Sequence, residues 1–177
     1  WVNILGQRQI RCTWVLWIDS ISHSKLWGAL SGIGMDPSLL NVICEIYAGA
    51  TAAVRFGTNG ECTEHFAVSK GVRQGCVLAP FLFTLYIREL ETILVEAGGD
   101  MPRVEGCAIS ALLFTDDDML MGLNPRALQT LINKFADFMR SLDLRVNVGK
   151  TFVMSCKMGR RSKTPCFMLD GGKHQIY

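Results

Sequence analysis

Residues 114–120 read FTDDDML, three consecutive aspartates inside an apolar stretch. Asp116, Asp117 and Asp118 follow AISALLF and precede MLMGL. Packed carboxylates repel one another and resist burial. A hard divalent cation offsets that repulsion. Mg²⁺ takes oxygen ligands, few of them from protein and the rest from water and phosphate. Two such ions can clamp the attacking and departing oxygens of an in-line phosphoryl transfer, and that chemistry calls for a further carboxylate from elsewhere in the chain. Taken alone the motif is weak, because Thr-Asp-Asp-Asp more often caps a helix or forms a solvated turn.

A second stretch, SKGVRQGCVLAPFLFTLYI, runs from 69 to 87. Gly71 and Gly75 bracket Arg73 and Gln74, and Pro80 opens a helix. Small residues let a backbone approach a ligand closely. A cation and an amide beside them suit a phosphate and a sugar, although a glycine-rich helix entry with one solvated arginine has the same composition. The GKT at 149–151 is not a phosphate-binding loop, because that motif needs glycine at 144, where the chain has Leu144.

The elements that must position these residues are legible from periodicity. PSLLNVICEIY (37–47) has helical spacing behind Pro37. Strands are predicted near 51–57 and 62–68, joined by Asn59-Gly60, a dipeptide that tolerates the positive φ of a tight hairpin. Residues 78–99 predict one long helix closed by Gly98-Gly99. AISALLF and MLMGL are either two short strands or one interrupted helix. The clearest helix starts at Asn124-Pro125 and carries Leu128, Leu131, Ile132, Phe135, Phe138, Met139 and Leu142 as one stripe. LRVNV and TFVMS predict strands, and KMGRRSKTP a basic surface turn, most simply a solvated one. Helices mixed with antiparallel strands predict an α+β fold with helices on one face of a sheet.

Composition sets bounds. The chain has 177 residues, 49% of them hydrophobic, and a net charge of +2. That suits one domain or a large piece of one, and any nucleic-acid role must rest on local patches. No apolar run reaches the roughly 18 residues that span a bilayer, so no membrane partner is expected. Seven cysteines without a C-x-x-C pair, and three scattered histidines, argue against a zinc site. They suit free thiols in a reducing compartment.

In order, these phrases resemble the reverse transcriptases of non-LTR (LINE-like) retrotransposons. GVRQGCVLAPFLFTLYI is similar to that family's G-V-R-Q-G-C-x-L-S-P-x-L-F-N-L-Y-I, and LLFTDDDMLM to its L-L-[YF]-A-D-D-x-x-L-x. LDLRVNVGKTFVM is similar to its x-G-L-x-V-N-x-x-K-T-x-V-M. HSKLWGAL and TAAVRFGTNGECTEHFAV match the linking segments, so the resemblance runs from about Val15 to Ile176.

The resemblance implies a polymerase palm-like antiparallel sheet packed against helices, the reverse transcriptase fold in incomplete form. The chain, 1–177, would be a single partial domain of palm and adjoining fingers segments, with upstream fingers, a downstream thumb and the rest of a polyprotein outside it. It implies RNA-directed DNA polymerase activity on an RNA template, a DNA primer and deoxynucleoside triphosphates. Asp116 and Asp117 would hold two Mg²⁺ ions. Arg73, Gln74, Gly75 and Phe114 would line nucleotide or template, and Lys150 would sit near the triphosphate, as cation or proton donor to the leaving pyrophosphate.

The chain departs from the family at the first catalytic carboxylate. The family phrase is F-x-D-F-x-K-A-F-D-S-V-x-H-x-x-L-W; residues 11–27 read RCTWVLWIDSISHSKLW. Counted back from His23, Asp19 falls on the second aspartate and Thr13 on the metal-binding one. Alternatively about six residues are lost and Asp19 is itself the ligand. Thr115 replaces the usual alanine. Asp118 adds a third acid, which strand alternation would send to the opposite face. A non-enzymatic remnant that keeps the fold and weak nucleic-acid binding is the competing reading.

Overall fold

A computed structural model describes residues 9–15, 20–56, 61–73, 75–114, 117–144, 146–156, 166–169 and 174–176. Two compact units result: residues 19–86, and residues 1–18 together with 87–177.

The second unit is built on a four-stranded antiparallel sheet. β1 (Gln9–Val15) lies between β10 (Phe152–Cys156) and β9 (Asp117–Gly122), and β8 (Ala111–Phe114) forms the edge beyond β9. The two apolar flanks of the acids are therefore strands, not one helix. α5 (Pro125–Ser141) packs against β9. Its start follows the sequence: Asn124 Oδ1 accepts from the Ala127 N–H at 2.9 Å, and Pro125 takes the first turn. Its stripe buries Leu128, Leu131, Ile132 and Phe135 completely. α4 (Glu89–Glu96) lies beside α5 and buries Leu90 and Leu94. The chain leaves α5 through Asp143 at φ 57, a left-handed value, at the position where the resembled phrase has glycine.

β11 (Phe167–Leu169) and β12 (His174–Ile176) form a hairpin. The Gln129 amide ties it to α5, donating to Met168 O at 2.7 Å and accepting from Met168 N–H at 2.9 Å. Phe167 and Leu169 are buried.

β9 and α5 meet at Gly122. A Cβ there would lie 2.8 Å from the Leu128 backbone nitrogen. Gly122→Ala should therefore cost about 1–3 kcal/mol by overpacking. Urea denaturation followed by circular dichroism measures it, with the open-space change Gly28→Ala as the control.

In the other unit, α1 (His23–Gly32) packs against α2 (Pro37–Tyr47) and α3 (Leu78–Tyr86) around Leu26, Leu30, Leu82 and Phe83. Asp36 caps α2 by accepting from Ser38 N–H at 2.9 Å. The predicted hairpin is present as two short ladders. β2 (Thr51–Ala52) pairs with β5 (Phe66–Ala67), and β3 (Arg55–Phe56) with β4 (Glu61–Cys62). Its Asn59-Gly60 turn lies outside the described residues, as do Lys157, Arg160, Arg161 and Lys163 of the basic turn.

Two expectations need correction, and one element was not expected. The long helix is interrupted at Ile87–Arg88, where Leu90 N–H bonds Ile87 O, and no glycine or proline marks the break. The strand over LRVNV is instead one bridging residue, Val146, followed by a 3₁₀ turn, Val148–Lys150. There Asn147 O accepts from Lys150 N–H and Thr151 Oγ1, a local bond set that competes with a ladder. An unforeseen hairpin, β6 (Arg103–Val104) with β7 (Cys107–Ala108), turns through Glu105 and Gly106, both at positive φ. Among the described residues no helix is long and apolar enough to cross a membrane. Cys44, Cys76, Cys107 and Cys166 are free thiols.

Candidate active site

The acids sit where β8 turns into β9. Met121 N–H donates to Ser110 O at 2.8 Å, and the register runs on to Phe114 opposite Asp117. Only Thr115 and Asp116 separate those two in sequence. Thr115 and Asp116 lie outside the described residues, and of Phe114 only the backbone is described. Asp117 opens β9 and is exposed, whereas Asp118 is fully buried. Strand alternation explains the difference. Asp118 shares its parity with Leu120 and Gly122, the residues turned toward α5, and Asp117 takes the other face.

β1 runs beside this hairpin. Val15 stands opposite Asp117, and Thr13 stands opposite both Met119 and Phe152. Thr13 is therefore in the strand next to the acids, two residues from the position facing Asp117. β1 itself, QIRCTWV, contains no acid. Asp19 lies outside the described residues.

Lys150 ends the 3₁₀ turn just before β10 and is exposed. β10 starts opposite Thr13 and runs antiparallel to β1, so Lys150 and Asp117 belong to the same end of the sheet. β1 lies between β10, which follows Lys150, and β9, which Asp117 opens.

The donor chemistry fits the implied Mg²⁺ in part. Two adjacent aspartates offer hard oxygens for one cation, with water and phosphate filling the rest of its shell. A bridged second ion needs another carboxylate, and β1 supplies none. Among the described residues no three His, Cys, Asp or Glu side chains cluster as a metal site.

Arg73 and Gly75 belong to the unit of residues 19–86; Gln74 between them lies outside the described residues. Gly71 and Gly75 have φ of 82 and 77, backbone that only glycine adopts readily. The loop borders a pocket of about 230 Å³ lined in part by His23, Tyr47, Lys70 and Arg73. His23 Nε2 is 2.8 Å from Gly71 O and fixes the loop to α1. The Arg73 guanidinium lies 5.8 Å over the Tyr47 ring, a cation–π contact, and Trp27 packs on both His23 and Tyr47. Burial raises the Tyr47 hydroxyl pKa, and the Arg73 backbone and charge oppose that shift. Residue patterns did not pick out His23 or Tyr47 as part of a site. Tyr47 had only its place in the α2 stripe, and a lone histidine carries no spacing signal.

Comparison with known proteins covers most of this framework. The family model described as reverse transcriptase (RNA-dependent DNA polymerase) matches residues 18–171, starting just beyond β1. A Pol polyprotein of the type-2 retrotransposable element R2DM from Drosophila melanogaster is 29% identical over 153 residues, covering 86% of this chain and 14% of the polyprotein. A Pol polyprotein of the type-1 element R2 from Popillia japonica is 31% identical over 137 residues, covering 77% of this chain and 19% of its own length. The chain thus spans under a fifth of these two relatives. Among solved structures, apo telomerase from Candida tropicalis superposes over 92% of this chain and 34% of its own, with TM-score 0.64 and 15% identity. That likeness shows a shared fold. The ordered phrases, the antiparallel sheet with its aspartate hairpin and the family match lead to one conclusion: this chain belongs to the reverse transcriptase family of nucleotidyltransferases.

Proposed function

We propose that this chain is the palm and adjoining fingers portion of an RNA-directed DNA polymerase, adding deoxynucleotides to a primer 3′-hydroxyl by two-metal phosphoryl transfer. The observation that carries the reading is the β8–β9 pairing, which sets Asp117, exposed, at the first position of β9 next in sequence to Asp116. Divalent metal held by Asp116 and Asp117 would neutralise charge that develops during transfer. Lys150, at the same end of the sheet, would place a cation, or a proton, on the departing pyrophosphate. Arg73, Gln74 and Gly75 would position the nucleotide or template through a backbone that glycine lets come close. Phe114, whose backbone pairs with Asp117, would line the nucleotide or template. The RNA template, DNA primer and flanking polymerase segments are part of the same proposal.

Primer extension on an RNA template in Mg²⁺ tests it. Asp116→Asn/Asp117→Asn should lower incorporation by at least about two decades, the cost of losing charge stabilisation where it matters most. Thermal stability should hold, because Asp117 is exposed. If wild type incorporates no more than the double variant, the reading fails for this chain.

A second reading has its own support. β1 contains no carboxylate, and Thr13 stands at the strand position beside the acids. A chain that keeps the fold and binds nucleic acid weakly without catalysis fits that feature. RNA binding without incorporation is its expected signature.

A further inference from the structure

β8 is an edge strand, and among the described residues nothing pairs with its outer side. Ser110 is hydrogen-bonded to Met121 through Met121 N–H, so the two-residue period turns Leu112 toward β9 as well. The N–H and C=O groups of Ala111 and Leu113 then point outward, away from the sheet. Natural edge strands are usually blunted by lysine, proline or a bulge. This one reads Ala-Leu-Leu-Phe and has none of these. Leu112 is 54% exposed and Leu113 42% exposed.

The edge does not face open solvent alone. A groove of about 430 Å³ lies between it and α4, lined by Leu94, Val95, Ser110, Leu112 and Leu113, among others, with Glu91 as its one charged lining residue among the described residues. α4 also exposes Glu89 and Glu96, and it carries no basic residue. A strand edge flanked by a helix is the arrangement in which extended peptides add to a sheet, main chain giving affinity and side-chain pockets giving selectivity. The acidic helix selects the charge of the partner.

We propose that this groove binds an extended segment of a partner protein, which adds as a further strand along β8. That segment would place apolar residues toward Leu94 and Val95 and a lysine or arginine opposite Glu91. The groove belongs to the unit of residues 87–177, so the proposal stands whether or not the chain polymerises.

The probe is a short fluorescein-labelled peptide alternating lysine with valine, titrated with the 177-residue chain and read by anisotropy. Saturable binding is expected. N-methylation at alternate peptide residues, which removes main-chain donors and keeps the side chains, should weaken it about tenfold or more. Glu91→Lys should weaken it about fivefold or more and flatten its salt dependence. Bound peptide should slow amide exchange at Ala111 and Leu113. The proposal is overturned if the N-methylated peptide binds equally well, if Glu91→Lys binds as wild type does, or if sedimentation shows the edge occupied by a second copy of the chain.

Discussion

Thr13→Asp should raise primer extension by this chain about two to three decades over wild type, equivalent to roughly 3–4 kcal/mol in the barrier. The expectation rests on register. Thr13 stands opposite Met119 in the strand neighbouring the acids, and the residue two further along, Val15, stands opposite Asp117. Residues two apart on a strand share a face. A carboxylate at 13 therefore belongs to the same side of the sheet as Asp117, where it would complete the donor set for a second cation. Cys12→Asp is the control by parity, since Cys12 stands opposite Leu120, a fully buried residue on the α5 side. It should give no gain and should destabilise the sheet. Mn²⁺ titration adds a readout independent of turnover: Thr13→Asp should tighten binding and Cys12→Asp should not. Equal extension by wild type and Thr13→Asp would mean that Thr13 is not the vacant carboxylate position.

Phe135→Ala should destabilise the unit that carries the hairpin by about 3–5 kcal/mol. Phe135 is fully buried in α5, the helix that packs against β9. Domains of this size are commonly stable by only about 5–15 kcal/mol, so this single truncation takes a large share. Urea denaturation monitored by circular dichroism measures the loss. Phe81→Ala, at a site 58% exposed, should change stability by less than about 0.5 kcal/mol. Equal effects from the two would show that the stripe on α5 is not the core of that unit.

What could be read beforehand divides along physical lines. α5 was legible because its cap, its proline and its stripe agree. α2 was legible from Pro37 and its helical spacing, and its Asp36 cap was not read beforehand. The aspartate hairpin was legible in position but not in kind, because short apolar runs carry no decisive period. The break at Ile87–Arg88 left no trace in residue type. The strand predicted over LRVNV failed because alternation there is real, yet Asn147 captures local donors. Glu105-Gly106 was missed because glutamate rarely signals a left-handed turn position. For the site, the family resemblance singled out Asp117 and Lys150, and the sheet register has them at one end of the sheet. What residue order left open was whether the metal-binding position aligns with Thr13 or with Asp19. Register puts Thr13 in the strand beside Asp117, a fact that depends on pairing between segments more than 100 residues apart, whereas Asp19 lies outside the described residues.

The parity of β9 also restricts how the gene can change length. Asp117 is exposed and Asp118 buried because β9 pairs with β8 in the register that sets Phe114 opposite Asp117. One inserted or deleted codon that shifted this pairing by a step would turn Asp117 to the α5 side and carry Leu120 off it. Single-codon insertions and deletions that shift this register are costly to the framework. Length variation between copies of this sequence should therefore collect elsewhere and spare the join between β8 and β9.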